Sequence, residues 1–132
     1  MTTIKKYTTE HQTALFALIE AEGEDWEYHL PENKKRYIET LTKSETYIIF
    51  EDDTLAGYAR ILNDYEVFVM DLLVDKNFRG KFYGQKLMSF ICAEFPNQDV
   101  YVLGADDVLP YYNKLGYKSA GVIYQVNNEA TD

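Results

Sequence analysis

Apolar residues recur along this chain with two different periods, and the switch between them outlines its elements. Ala14, Leu15, Leu18 and Ile19 keep the spacing of one helical face. Ahead of them, Thr9-Glu10-His11-Gln12 reads as a capping box and Gly23 as a helix stop. Ile4 to Tyr7 predicts a short strand before that helix. Glu24 to Leu30 is acidic and aromatic without clear period. Pro31 then suits a first helical position, with Tyr37, Ile38 and Leu41 on one side of a second helix.

From Thr46 the period falls to that of strands. Tyr47 to Glu51, the turn Asp52-Asp53-Thr54 and Leu55 to Leu62 predict an antiparallel hairpin. Val67 to Val74 is apolar at every position but Asp71, the pattern of a strand covered on both faces and therefore central. A third helix starts near Gly84, turns Leu87, Phe90, Ile91 and Phe95 inward, and ends at Pro96. Val100 to Leu103 is the next strand. Asp106 or Asp107 caps a short helix through Leu115, Gly116 closes it, and Tyr117 to Val126 is a last strand. The predicted order is βααβββαβαβ.

At Asp71 to Gln85 the pattern acquires chemistry. A buried-type strand runs into the basic, glycine-containing turn Arg79-Gly80-Lys81-Phe82-Tyr83-Gly84, which opens a helix. Free N–H groups at a helix start carry the positive end of its dipole and suit a phosphate. Arg79 and Lys81 add cationic side chains, and Gly80 and Gly84 allow close backbone approach. The turn is neither G-x-x-x-x-G-K-[ST] nor G-x-G-x-x-G after a first strand.

Composition narrows the partners. Asp and Glu number 22 against 13 Lys and Arg, and the formal charge of −9 argues against nucleic acid and favours cationic partners. No apolar run is long enough to span a membrane and Met1 to Lys6 lacks the apolar stretch of a signal peptide, so a cytoplasmic protein without membrane association is expected. The length of 132 residues fits one domain, 1–132. His11 and His29 are far apart and there is a single cysteine, so no metal site is expected, and Cys92 reads as a thiol packed in its helix.

Downstream of the basic turn comes Tyr111-Tyr112-Asn113-Lys114-Leu115-Gly116-Tyr117. The two segments, in this order and at this separation, resemble the GNAT superfamily of acyl-CoA-dependent N-acetyltransferases, and nearly the whole chain is covered. The resemblance implies an α/β (α+β) fold: a mixed, mostly antiparallel sheet whose fourth and fifth strands splay apart, flanked by helices, with acetyl-CoA as cosubstrate in the opening. It implies direct transfer of the acetyl group to a primary amine, no metal, and a homodimer as default assembly.

Position by position, the family's loop of Arg or Gln, two residues, Gly, one residue, and Gly or Ala falls on Arg79, Phe82 and Gly84. Phe82 departs from it, and its side chain must crowd the pyrophosphate or turn outwards. Arg79, Gly80, Lys81, Phe82, Tyr83, Gly84 and Gln85 are the expected pyrophosphate cradle. Leu73 and Val74 would offer main-chain groups to the pantetheine arm, with an amide near Leu73 polarising the thioester carbonyl. Tyr112 would protonate the departing thiolate, while Tyr111 is expected in the core.

A base is needed, because an alkylammonium of pKa about 10.4 cannot attack a thioester before losing a proton. Asp71 is the catalytic candidate, its alternative being a side chain bound to neighbouring backbone or to a tyrosine hydroxyl. Glu22, Glu24 and Asp25 are rivals in the first interhelical loop. Glu20, Glu22, Glu24, Asp25 and Glu27, flanking Trp26 and Tyr28, suggest a cationic small-molecule acceptor, with Glu22, Glu24, Asp25 and Trp26 binding it; a solvated acidic helix end with Trp26 in the core is the other reading. Against catalysis stands a non-catalytic acyl-CoA-binding or interaction module with the same fold, for which Phe82 is the argument.

Overall fold

A computed structural model describes residues 1–104 and 109–127. The elements are β1 (Thr2–Lys6), α1 (Gln12–Glu22), α2 (Pro31–Lys43), β2 (Glu45–Glu51), β3 (Thr54–Asn63), β4 (Val67–Val74), α3 (Tyr83–Glu94), β5 (Val100–Val102) and α4 (Leu109–Lys114). Short 3-10 turns occupy Thr9–His11, Glu27–His29 and Lys76–Phe78. The cap before α1 lies one residue earlier than expected: the Thr8 N–H donates to His11 Nδ1 at 2.9 Å and the His11 N–H to Thr8 O at 2.9 Å. Asp106 and Asp107, the expected cap of α4, lie outside the described residues. Gly116, at φ +86°, turns the chain out of α4 with its N–H on Asn113 O.

The strands form one sheet in the order β1-β2-β3-β4-β5, antiparallel except for the parallel β4–β5 pair joined through α3. Alternation of side chains gives the sheet two buried faces. Ile48, Leu55, Tyr58 and Leu73 pack under Leu15, Phe16, Leu18 and Ile19 of α1 and Tyr37 and Leu41 of α2. On the other face, Tyr47, Ile49, Ala59, Ile61, Val67 and Val69 pack on Tyr83, Leu87, Met88 and Ile91 of α3. α1 buries Phe16 and leaves Ala14 exposed, so its apolar stripe is rotated slightly from the expected one.

Two departures follow from what strands need. The last strand expected at Tyr117 to Val126 is absent: this segment makes no ladder, and Val122, Ile123, Tyr124 and Val126 are exposed. Its alternation is that of a strand, but β5 spans only Val100–Val102 and offers a short edge for pairing. Cys92 is exposed on α3 rather than packed, because the buried stripe of that helix runs through Leu87, Met88 and Ile91.

A bulge in β4 positions the site. Arg60 pairs with Asp71 and Ile61 with Val69, which leaves Met70 without a partner on β3. Side chains therefore change faces at Met70: Val67 and Val69 point to α3, whereas Leu73 points to α1 and α2. Past Val69 the sheet also opens. β5 pairs with β4 only from Val67 to Val69, closing with the Leu103 N–H on Val69 O at 3.1 Å, and the rest of β4 is free on that side.

Candidate functional site

The opening between β4 and β5 is part of a cavity of about 990 Å³. Its lining combines Glu22, Asp25, Trp26 and Tyr28 from the end of α1 and the loop after it, Met70 to Val74 of β4, Arg79, Gly80, Phe82, Tyr83 and Gly84 from the turn into α3, and Tyr111 and Tyr112 of α4. The fold thus brings together the basic turn, the acidic loop and the paired tyrosines. Lys81, Gln85 and Glu24 do not line it. Lys81 lies over the Phe78 ring, 5.3 Å from its centroid, and Glu24 is exposed on the loop.

Strand register decides which main-chain groups face the opening. The Asp75 N–H donates to Ala56 O at 2.8 Å, and Gly57 pairs with Val74. In an antiparallel ladder the groups alternate, so Leu73 and Asp75 turn theirs to β3 while Leu72 and Val74 turn theirs to the open side. Gly57 confirms this direction: a Cβ there would sit 2.8 Å from Leu73 O, so only glycine allows that approach. The Leu73 amide itself is thus used within the sheet, and the amide near Leu73 that faces the open side is that of Leu72. Val74 O does face out, accepting from Arg79 Nε at 3.2 Å.

α3 begins within the lining of the cavity. Its first intrahelical bond runs from the Lys86 N–H to Phe82 O at 2.9 Å, leaving the N–H groups of Tyr83, Gly84 and Gln85 at the open terminus. Gly80 and Phe82 both take positive φ, +84° and +66°. Phe82 holds the left-handed conformation that suits glycine and is 65% exposed at the cavity lining. Gly84 is helical; a Cβ there would stand 3.8 Å from Val74 Cγ2 and 4.0 Å from the Tyr111 hydroxyl, so its lack of a side chain keeps space rather than permitting a conformation.

Tyr112 lies on α4 between Tyr111 and Tyr117, with both ring centroids 5.6 Å away. Burial raises its phenol above the ordinary value, and the two neighbouring phenols add to this. Tyr111 is not a core residue: it is 49% exposed and lines the cavity, because the short α4 sits at the rim with this ring turned to the opening.

Asp71 is held rather than free. Tyr28 donates to Oδ1 at 2.7 Å, Tyr37 to Oδ2 at 2.8 Å, and Arg60 Nε to Oδ2 at 2.5 Å. Tyr58 joins through the Tyr37 hydroxyl at 2.9 Å, and the Tyr28 and Tyr37 rings stack 3.8 Å apart. Burial and then the bond to Asp71 push the Tyr28 phenol up to about 12. Both oxygens of this carboxylate are thus already engaged, one by a phenol and the other by a phenol and a guanidinium, and neither is left free for an incoming amine. Asp71 thus suits an anchor better than the catalytic base expected from the sequence, in line with the tyrosine-bound alternative. Arg60 escaped the sequence reading, although a cation in one predicted strand and an anion in the next was its signal.

Trp26 has features of both sequence readings: its ring is half-buried against Tyr28 and Tyr58, yet it lines the cavity beside Asp25. Glu22 is tied to the turn before α3, its Oε1 accepting from Arg79 Nη2 at 2.6 Å. Among the described residues no three His, Cys, Asp or Glu side chains gather to hold a metal ion, and no helix is long and apolar enough to cross a membrane.

Comparison with known proteins gives the same fold. The sequence model of the Acetyltransferase (GNAT) family matches residues 14–117. A GNAT-family acetyltransferase from Streptococcus pneumoniae TIGR4 superposes with TM-score 0.74 at 22% identity, covering 97% of this chain and 100% of that one. The aminoglycoside N-acetyltransferase AAC(6')-Iy, in complex with CoA, gives 0.72 at 16% identity, covering 98% and 96%. Glucosamine-6-phosphate N-acetyltransferase from Arabidopsis thaliana gives 0.67 at 16%, covering 95% and 97%. No curated protein sequence matches the chain.

Proposed function

Because the chain belongs to the GNAT acetyltransferase family, we propose that residues 1–132 form one cytoplasmic catalytic domain that moves the acetyl group of acetyl-CoA directly to a cationic primary amine. The observation that carries this reading is the one cavity whose lining includes a free helix start, the open side of a central strand and the half-buried Tyr112 phenol.

The site fits the cosubstrate. The N–H groups of Tyr83, Gly84 and Gln85, with Arg79 beside them, would hold the pyrophosphate, and the bare Cα of Gly84 leaves room for it. Phe82 would contribute to this cradle its backbone in the left-handed conformation. Val74 would pair with the pantetheine amides as an added strand would. Acetyl-CoA supplies a thioester activated for acyl transfer. The Leu72 N–H would donate to the thioester oxygen, a bond that strengthens as charge builds there. Tyr112 would give its proton to the leaving sulfur; its raised phenol stays protonated through neutral pH.

For the acceptor, Glu22 and Asp25 line the cavity beside the faces of Trp26 and Tyr28, which suits an ammonium group. Glu24 contributes only to the local field, from the exposed side of the loop. With Asp71 engaged, proton removal falls to water or to Asp25.

Replacing Gly84 by Leu tests the cradle. Its Cβ meets nothing closer than 3.8 Å, so the fold is expected to survive while the longer side chain fills the phosphate space. Calorimetry should show one coenzyme A site per chain in the parent and a loss of about tenfold or more in Gly84→Leu, about 1.4 kcal/mol. Unchanged affinity in a folded variant would place the coenzyme elsewhere.

A further inference from the structure

The Arg79 side chain makes two polar contacts within the lining of the cavity. Nη2 donates to Glu22 Oε1 at 2.6 Å and Nε to Val74 O at 3.2 Å. One guanidinium thus joins the end of α1, the end of β4 and the turn before α3, and all three residues line the cavity. Glu22 is the more enclosed partner, with its side chain 20% exposed against 48% for Arg79.

Both groups that Arg79 occupies have another use in the reaction proposed above, on which this inference rests. Val74 O is the outward carbonyl of β4, and Glu22 is a carboxylate on the acceptor side. We infer that the Arg79–Glu22 pair is a latch opened by acyl-CoA, and that Glu22 selects a cationic acceptor only once the latch is open. A pyrophosphate at the start of α3 offers the guanidinium more negative charge and a bidentate geometry at short range. Its departure leaves the half-enclosed Glu22 carboxylate without a counter-ion, and an incoming ammonium takes that place. Neutral amines gain nothing from this exchange, so the pair sets acceptor class as well as order of binding. The coupling is reciprocal: whatever weakens the hold of Glu22 on Arg79 must strengthen coenzyme binding.

Glu22→Gln tests the sign of that coupling, because the amide keeps the side-chain shape and removes the charge. Asp25→Asn serves as reference for lost negative charge, since Asp25 lines the same cavity but forms no ion pair with Arg79 among the described residues. Coenzyme A titrated by calorimetry into parent and variants is expected to bind Glu22→Gln about fivefold tighter than the parent, and tighter than Asp25→Asn. Equal affinities in Glu22→Gln and Asp25→Asn would overturn the latch. Weaker binding by Glu22→Gln would also overturn it and make Glu22 a brace that aims Arg79 at the pyrophosphate. A parent protein that does not bind coenzyme A at all would instead overturn the reading of the site from which the latch was drawn.

Discussion

Replacing Tyr112 by Phe is expected to slow acetyl transfer by about 10²- to 10⁴-fold while coenzyme A affinity stays within about twofold. The ring packs between Tyr111 and Tyr117, and phenylalanine keeps that packing, so the loss isolates the hydroxyl. The hydroxyl matters mainly when negative charge forms on sulfur, which is why kcat rather than binding carries the effect. A thiol has a pKa of about 8.5 and a phenol about 10, so transfer of the proton depends on placement rather than on acidity. Burial raises the Tyr112 phenol further. The active form is the protonated one, so the parent keeps this contribution below the raised pKa and loses it only on the alkaline side, beyond the ordinary phenol range. Tyr112→Phe should lack that alkaline limb. Steady-state rates across pH for Tyr112→Phe and Tyr111→Phe make the check. A slow Tyr111→Phe beside a parent-like Tyr112→Phe would transfer the role to Tyr111, whose hydroxyl also borders the cavity near Gly84.

Alanine at Asp71 is expected to lower stability by about 3–5 kcal/mol, out of a total of about 5–15 for a domain of this kind. The Arg60 and Asp71 side chains are 11% and 6% exposed, so removal of the carboxylate leaves a guanidinium enclosed without a counter-charge. The hydroxyls of Tyr28 and Tyr37 lose their acceptor at the same time. Urea unfolding should show a lower midpoint with little change in slope. The double variant Arg60→Met/Asp71→Leu is expected to recover the part of the loss due to the stranded guanidinium, but not the part due to the Tyr28 and Tyr37 hydroxyls, which still lack their acceptor. Asp71→Asn distinguishes anchor from base. A protein with parent-like stability and abolished turnover would make Asp71 the base after all; a destabilised protein with residual activity fits the anchor.

Much of this architecture is legible in the residues. The apolar run of Val67 to Val74 marks the central strand, and the glycine-containing basic turn after it marks the start of α3, because burial on two faces and a free helix terminus each leave a local signature. The bulge at Met70 leaves none. Nothing in Val-Phe-Val-Met-Asp-Leu-Leu-Val says where one residue drops out of register, and the side-chain period of two makes that omission decisive. It moves Asp71 under α2 among the tyrosines and settles that, of the amides near Leu73, the outward one is that of Leu72. The same dependence on distant partners explains Arg60, which finds Asp71 only across the β3–β4 pair, and Glu22, which meets Arg79 only when the end of α1 reaches the turn that follows β4. At Tyr117 to Val126 the local signal is clear, but pairing depends on an edge elsewhere in the fold that is only three residues long.

Release of free thiol from acetyl-CoA, followed against a panel of amines with mass spectrometry of the products, tests the account most directly. The panel should span neutral aromatic amines, polyamines and aminoglycosides at low and high salt. The account predicts thiol release that depends on the amine, an acetylated product in equal amount, preference for the polycations, and loss of that preference at high salt. Coenzyme binding with no amine raising thiol release above background hydrolysis would contradict it, and would leave a domain that holds acyl-CoA in this cavity without transferring the acetyl group.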